Sequence, residues 1–233
     1  MFSVKYKDGP KRVFDLCCSV PAVIVLSPLL LVFSGIGAVA MHGNPFYTQP
    51  RPGKDEEIFK LIKFRTMSNE KDKDGHLLPD EQRLNAYGKF LRSTSIDELP
   101  ELLNIIKGDM SIIGPRPQLV RDMFFMTDRQ RKRHSVRPGL SGLAQVNGRN
   151  VITWEDKLDW DLKYIENITF LGDLKIILST VFKVLKRSDI NREGTESDID
   201  LGDYLLLNGS INKQEYVEKN NKATDLLIRG DWK

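Results

Sequence analysis

From Val13 to Met41 the chain is apolar almost without a break, and no other segment constrains its fold as strongly. The interruptions are Asp15, Pro21, Ser27, Pro28 and a few small residues. As one straight helix at ~1.5 Å per residue the run would reach roughly 43 Å, against a hydrocarbon core of ~30 Å, so a single transmembrane span is one reading. Pro28 favours another. It removes a backbone N–H and crowds the carbonyl four residues back, which predicts a break or kink near Ser27-Pro28. The two arms, about 20 Å each, are too short to cross separately, and the Ser27 hydroxyl can serve backbone groups freed by the break. The result would be a re-entrant helix that enters and leaves one membrane face. Lys5, Lys7, Lys11 and Arg12 precede the run, and Arg51, Lys54, Lys60, Lys63 and Arg65 follow it, which keeps both ends cytoplasmic. On these residues alone the span and the hairpin stand level. A cleaved secretory signal fits poorly, because the run is too long and leads into Gly43-Asn44-Pro45.

Charge is unevenly spread. The segment from Thr195 holds 5 Lys/Arg against 8 Asp/Glu, which leaves 30 against 24 in the residues before it. A basic body with an acidic tail suits anionic partners such as phosphates or a lipid surface. Only Cys17 and Cys18 occur, adjacent and inside the apolar run, so the chain carries no disulfide framework.

Beyond the run, Gly43 to Gly53 reads as a Gly/Pro-rich connector, Ile58 to Met67 as β-prone, and Ser68 to Glu81 as a charged loop turning at Asp74-Gly75. A short helix is predicted over Arg83 to Leu91. Ser95-Ile96-Asp97-Glu98 matches a capping box leading into the apolar stripe Leu99, Leu102, Leu103 and Ile106, which stops at Gly108. Pro100 limits where that helix can begin. Helices are also expected over Trp154 to Ile165 and over the amphipathic segment Phe170 to Arg187, whose apolar face serves equally a protein core or a lipid interface. The tail is expected to end in a short helix after Asn208-Gly209. These divisions give a membrane segment over 1–42, a main domain over 43–194 and a tail over 195–233.

Asp97-Glu98 is the first candidate for chemistry. First-turn N–H groups and the helix dipole favour ionised carboxylates, so Asp97 would stand as an anion ready to attack or to bind metal, although such a pair taken alone is an ordinary cap. Its surroundings change that. Gly114-Pro115-Arg116-Pro117 locks an arginine between prolines, Lys63 and Arg65 lie on the β-prone segment, and Arg92 precedes Asp97 by five residues. Arg137-Pro138-Gly139 and Gln145-Val146-Asn147-Gly148-Arg149 add further basic turns. Guanidinium groups bind phosphate oxygens in pairs, so the set describes a pyrophosphate site. Two carboxylates beside such a site also suit Mg²⁺. His42, His76 and His134 are far apart, so no zinc pattern competes, and neither a P-loop nor a strand-linked G-x-G-x-x-G occurs.

From Lys11 to Asp189 these motifs, in this order, resemble the small monotopic phosphoglycosyl transferases, or bacterial sugar transferases, that initiate glycan assembly. The resemblance rests on the apolar run with Ser27-Pro28, Lys63-Phe64-Arg65-Thr66-Met67, Ser95-Ile96-Asp97-Glu98-Leu99-Pro100, Gly108-Asp109-Met110-Ser111, Gly114-Pro115-Arg116-Pro117, Arg137-Pro138-Gly139 and Gln145-Val146-Asn147-Gly148-Arg149. It implies an α+β fold, mostly helical with a small β element. It also implies a re-entrant helix broken at Ser27-Pro28, interfacial helices, and a catalytic domain on the cytoplasmic face of the bacterial inner membrane. In such enzymes the aspartate matching Asp97 attacks the β-phosphate of a UDP-sugar, UMP leaves, and undecaprenyl phosphate then takes the phosphosugar. Glu98 would bind Mg²⁺ with Asp97 or assist proton transfer. Lys63, Arg92, Arg116 and Arg149 would neutralise phosphates, with Arg65, Pro115, Pro117, Arg137, Gln145 and Asn147 in support.

Leu205-Leu206-Leu207-Asn208-Gly209 through Leu226-Leu227 is similar to short C-terminal modules that mediate self-association, which would make a homo-oligomer; the alternative is a tail that covers the domain surface. A catalytically silent, membrane-anchored relative that holds lipid or nucleotide is the competing function, and retention of both Asp97 and Glu98 counts against it. A nucleic-acid partner is not expected, because the basic turns lack interleaved stacking aromatics.

Overall fold

The computed structural model describes residues 6–7, 9–148, 152–186 and 199–230. Pro10 opens helix α1, Pro10–Ala40, where its missing N–H costs nothing. Helical structure continues through Pro21 and Pro28 instead of stopping at Ser27-Pro28. The Ser27 hydroxyl donates to Ile24 O at 2.8 Å, the carbonyl that Pro28 leaves without its amide. One face of α1 meets the rest of the protein along its whole length. Arg12 donates to Ile105 O and Ile106 O, and Asp15 Oδ1 accepts from Ser111 Oγ and Ile112 N. Farther along, Ala22, Val23 and Leu26 pack on Phe59, Leu61, Leu102, Ile105 and Met110. At the far end Phe33 meets Phe64, Tyr87 and Phe90, while Asn85 Nδ2 donates to Ala40 O. The opposite face, including Ile24, Val25, Leu31 and Val39, is exposed and apolar.

The connector expected over Gly43 to Gly53 is instead largely strand. β1, Phe46–Pro52, pairs antiparallel with β2, Ile58–Phe64. A two-stranded ribbon leaves one side of each strand unpaired, which is why Pro50 and Pro52 are tolerated. The single helix expected at Arg83 is two, α2 over Asp80–Arg83 and α3 over Ala86–Thr94, because the Asn85 side chain caps the second at Gly88 N. A 3₁₀ turn over Ile96–Glu98 leads into α4, Glu101–Lys107, which ends on Gly108 in the left-handed region as expected. β3, Ser111–Ile113, and β4, Gly139–Ser141, form a short parallel pair. They approach so closely that a Cβ on Gly139 would lie 2.1 Å from Gly114 N.

Helices α5, Val120–Phe125, α6, Asp128–Arg131, and α7, Leu143–Gly148, fill the connections, followed by α8, Trp154–Glu166, and α9, Phe170–Lys186. α9 divides its apolar residues between two sides. Its inner side buries Ile176 and Asp173, the latter 2.5 Å from Lys11 Nζ; its outer side exposes Leu171, Leu174, Leu178, Val181 and Phe182. Phe170 stacks edge-on against Phe14 of α1, so the two exposed apolar faces meet. The tail forms two helices, α10, Leu201–Leu207, and the longer α11, Lys213–Arg229. Leu201, Tyr204, Leu205 and Tyr216 pack on Phe125, Trp154 and Leu158, and Arg121 pairs with Asp200 and Asp203. The architecture is mostly helical with two small sheets, the α+β class read from the sequence.

Candidate active site

The site is built where β2 runs beside α4. Asn104 of α4 is fully buried and bonds both sides of the β2 backbone, accepting from Ile62 N at 3.0 Å and donating to Lys60 O at 2.8 Å. That clamp sets Lys63 against the start of α4. Lys63 Nζ lies 3.1 Å from Glu98 Oε1 and 3.1 Å from Glu101 Oε1. Arg116 Nη2 reaches the same Glu98 oxygen at 2.5 Å. Behind Arg116, Arg133 Nη2 donates to its carbonyl at 2.6 Å, and Arg133 is itself held by Asp161 at 2.7 and 2.9 Å. Arg133 and Asp161 are each 1% exposed, so the proline-bracketed backbone of Arg116 is anchored to a buried ion pair.

The capping box expected at Ser95 does not form. Ser95 takes a left-handed conformation and makes no cap hydrogen bond, the α-helix begins only at Glu101, and the Glu98 carboxylate is committed to Lys63 and Arg116. Asp97 therefore owes its state to neighbours and not to a helix N-terminus. Burial, then the charge of Glu98, push the Asp97 carboxyl above the usual range, with Lys63, Arg116 and Arg92 opposing. For Glu98 burial acts upward too, but Arg116 and Lys63 outweigh it and hold the carboxyl well below its ordinary value. Glu98 in turn stabilises the charged Arg116. Among the described residues neither Asp97 oxygen is hydrogen-bonded, so Asp97 is the uncommitted carboxylate of the site.

Arg92 lies exposed on α3, oriented by a 3.1 Å bond from Nε to Thr66 Oγ1, and its charge is felt at Asp97. The other sequence-derived residues bond the backbone. Arg65 donates to Phe46 O, Arg137 to Gly108 O, Gln145 to Leu140 O and Asn147 to Leu143 O. Pro115 accepts from Gly139 N through its carbonyl, and Pro117 lines a cavity beside Arg116. Arg149 lies outside the described residues.

The sequence reading missed Glu101, Arg51, Arg133 and Asp161. Glu101 follows Glu98 by three residues, the spacing that puts two side chains on one helical face, and this signal was available. It is almost fully buried, and burial followed by the charge of Glu98 pushes its carboxyl up to about 7. Between its unfolded value and about 7 the folded protein holds a proton that the unfolded chain has released, so stability falls as pH rises through that window. Glu101→Gln is expected to raise the thermal midpoint at about pH 8 by several degrees and to change it much less at about pH 5. Thermal denaturation at the two pH values checks this; an equal shift at both would remove the assigned protonation.

The donor set fits Mg²⁺. Asp97 offers two unbonded oxygens and Glu98 retains Oε2, while no cluster of three or more acidic, His or Cys side chains occurs among the described residues. Such a set matches a cation completed by substrate phosphates and not an all-protein cage.

The family model for bacterial sugar transferases matches residues 6–187. A sugar transferase of Bacillus subtilis, EpsL, is 44% identical over 78% of this chain and 90% of its own length. The exopolysaccharide production protein ExoY of Sinorhizobium fredii is 37% identical over 73% of this chain and 83% of its own. A UDP-glucose:undecaprenyl-phosphate glucose-1-phosphate transferase of Klebsiella pneumoniae is 38% identical over 74% of this chain, though this match spans only 39% of that longer protein. On the extent of these matches, the chain belongs to the bacterial sugar transferase family.

Proposed function

We propose that this sugar transferase moves a sugar 1-phosphate from a UDP-sugar to undecaprenyl phosphate through a covalent Asp97 intermediate. The observation that carries the reading is the division of labour between adjacent carboxylates: Glu98 is neutralised by Lys63 and Arg116, while Asp97 stays half-buried and, among the described residues, unbonded. An Asp97 oxygen attacks the β-phosphorus of the donor. The bond from that phosphorus to the bridging oxygen breaks, its electron pair leaves with UMP, and an aspartyl phosphosugar remains. An oxygen of undecaprenyl phosphate then attacks the same phosphorus and frees Asp97. Arg116, Lys63 and Arg92 supply positive charge where phosphate charge develops, and their anchored geometry makes that stabilisation available without rearrangement. Mg²⁺ held by Asp97 and Glu98 would neutralise phosphate oxygens of the donor.

The lipid acceptor requires a membrane position, and the exposed apolar faces of α1 and α9 support one. Because α1 touches the body from Arg12 to Ala40, the reading is a monotopic protein with α1 embedded from the cytoplasmic side of the bacterial inner membrane and both its ends on that side. In a variant lacking Cys17 and Cys18, Lys7→Cys and Lys54→Cys are expected to react with an impermeant thiol reagent from one and the same face of sealed vesicles. Reaction from opposite faces would establish a span.

The decisive experiment offers purified protein in detergent, with Mg²⁺ and undecaprenyl phosphate, a panel of UDP-sugars and identifies the released nucleotide. UMP supports phosphosugar transfer and names the donor. UDP would mean ordinary glycosyl transfer, and no product from any donor would favour a silent binding protein.

A further inference from the structure

The chain contains the tripeptide Pro-Arg-Pro twice, at Pro50-Arg51-Pro52 and at Pro115-Arg116-Pro117, and both copies face one cavity. This space of about 110 Å³ is walled by Arg51, Lys63, Glu101, Arg116, Pro117 and Gln118. Neither Asp97 nor Glu98 lines it, but Lys63 and Arg116, which do, both pair with Glu98 beside Asp97, so the cavity adjoins the carboxylate pair through these two cations. The two arginines are placed alike but used differently. Arg116 has Glu98 as its counter-charge, whereas Arg51 has no carboxylate within ion-pair distance among the described residues. Among the described residues its one side-chain hydrogen bond goes to the neutral Gln49 Oε1 at 2.6 Å, and its buried Nε has no partner. Burial and the nearby charge of Arg116 lower the Arg51 guanidinium to about 10, as befits a cation that lacks an anion. A half-buried guanidinium without a paired carboxylate is costly, and the fold retains one beside a second arginine and a lysine.

The chemistry of the proposed function identifies what belongs there. In the first half-reaction the group departing from phosphorus opposite Asp97 is UMP; in the second the group arriving opposite the same Asp97–P bond is undecaprenyl phosphate. Both are phosphate monoesters, and in-line displacement requires both to occupy the same side of the phosphorus in turn. We propose that the cavity between the two Pro-Arg-Pro segments is a single phosphate-monoester subsite, used first by the leaving nucleotide and then by the lipid acceptor, with Arg51 as its dedicated guanidinium. Arg116 and Lys63 line this subsite and link it to the Glu98 carboxylate. The prolines on either side of Arg51 fix its backbone in β1, opposite Phe59 of β2, so the guanidinium is presented from a stiff ribbon.

The inference rests on the transfer reading above, and its test keeps the two separable. Equilibrium binding of UMP, measured calorimetrically on the full protein without donor or acceptor, needs no turnover. Arg51→Gln is expected to weaken it at least about tenfold, with Arg51→Lys intermediate and thermal midpoints close to wild type. The two half-reactions are then read apart, as exchange of labelled UMP into UDP-sugar without acceptor and as discharge of the preformed phosphosugar protein by undecaprenyl phosphate. Slowing of both in Arg51→Gln supports the shared subsite. Slowing of only one, or unchanged UMP binding in a folded Arg51→Gln, overturns it. If wild type binds UMP through Arg51 but releases none from any donor, the transfer reading fails while the phosphate subsite stands.

Discussion

Asp97→Asn is expected to abolish UMP release, lowering turnover by at least about a thousandfold, while leaving the protein folded and at least as stable as wild type near neutral pH. The two halves of this expectation come from the same observation. An amide of the same shape cannot supply the attacking anion, so the covalent route closes. Yet Asp97 makes no hydrogen bond among the described residues, so the substitution strands no partner. The carboxyl is also pushed up by burial and by Glu98, which means that the folded state resists its ionisation; the neutral amide removes that repulsion. As pH rises from the unfolded carboxyl value through the raised folded one, wild type loses stability that Asp97→Asn keeps. Turnover with the UMP assay and thermal denaturation at neutral pH check both. Full activity would remove Asp97 as nucleophile, and an unfolded variant would mean that its charge serves the fold.

Glu98 makes the contrast. Its carboxylate is the shared counter-charge of Lys63 and Arg116, so its loss would leave two cations facing each other without it. The same local sequence, Asp97-Glu98, thus contains one residue built into the structure and one held apart from it, and adjacency in sequence gave no hint of which is which.

That limit is general for this chain. Long patterns with one dominant cause were legible: α8, α9 and the stop of α4 at Gly108 follow from helical periodicity and glycine conformation. β1 was not, because its two prolines read as a connector and only the pairing with β2 shows that they lie on a free edge. The capping box failed for a different reason. Ser95 and Glu98 have the right spacing, but a local rule worth about 1 kcal/mol was overridden by two cations arriving from β2 and from the segment after β3. Lys63, Glu98 and Arg116 were found in the sequence since each sits in a distinctive motif. Arg51 sits in the same kind of motif as Arg116, Pro-Arg-Pro, and could have been found by the same argument. Arg133 and Asp161 carry no local mark, because their meaning lies in a contact across 28 residues of sequence.

Arg133→Met carries the largest expected effect on stability. Arg133 and Asp161 are almost completely buried, and removing one member leaves the other as an uncompensated charge, a loss of about 3–5 kcal/mol in such pairs. For a chain of this length that lowers the thermal midpoint by roughly 10 °C. Burial already pushes the Asp161 carboxyl up against the pull of Arg133, so without Arg133 the carboxyl would take a proton, and the loss should shrink at acidic pH. Replacing both partners, as Arg133→Met with Asp161→Leu, removes the stranded group and should restore much of the midpoint. It cannot restore the 2.6 Å bond from Arg133 to Arg116 O. The double variant is therefore expected to regain stability without regaining wild-type KM for the donor, since Arg116 would keep its prolines but lose the anchor behind its carbonyl. Thermal denaturation and donor kinetics on the two variants separate the roles: if KM returns along with the midpoint, the buried pair serves the fold alone and Arg116 is positioned by its prolines.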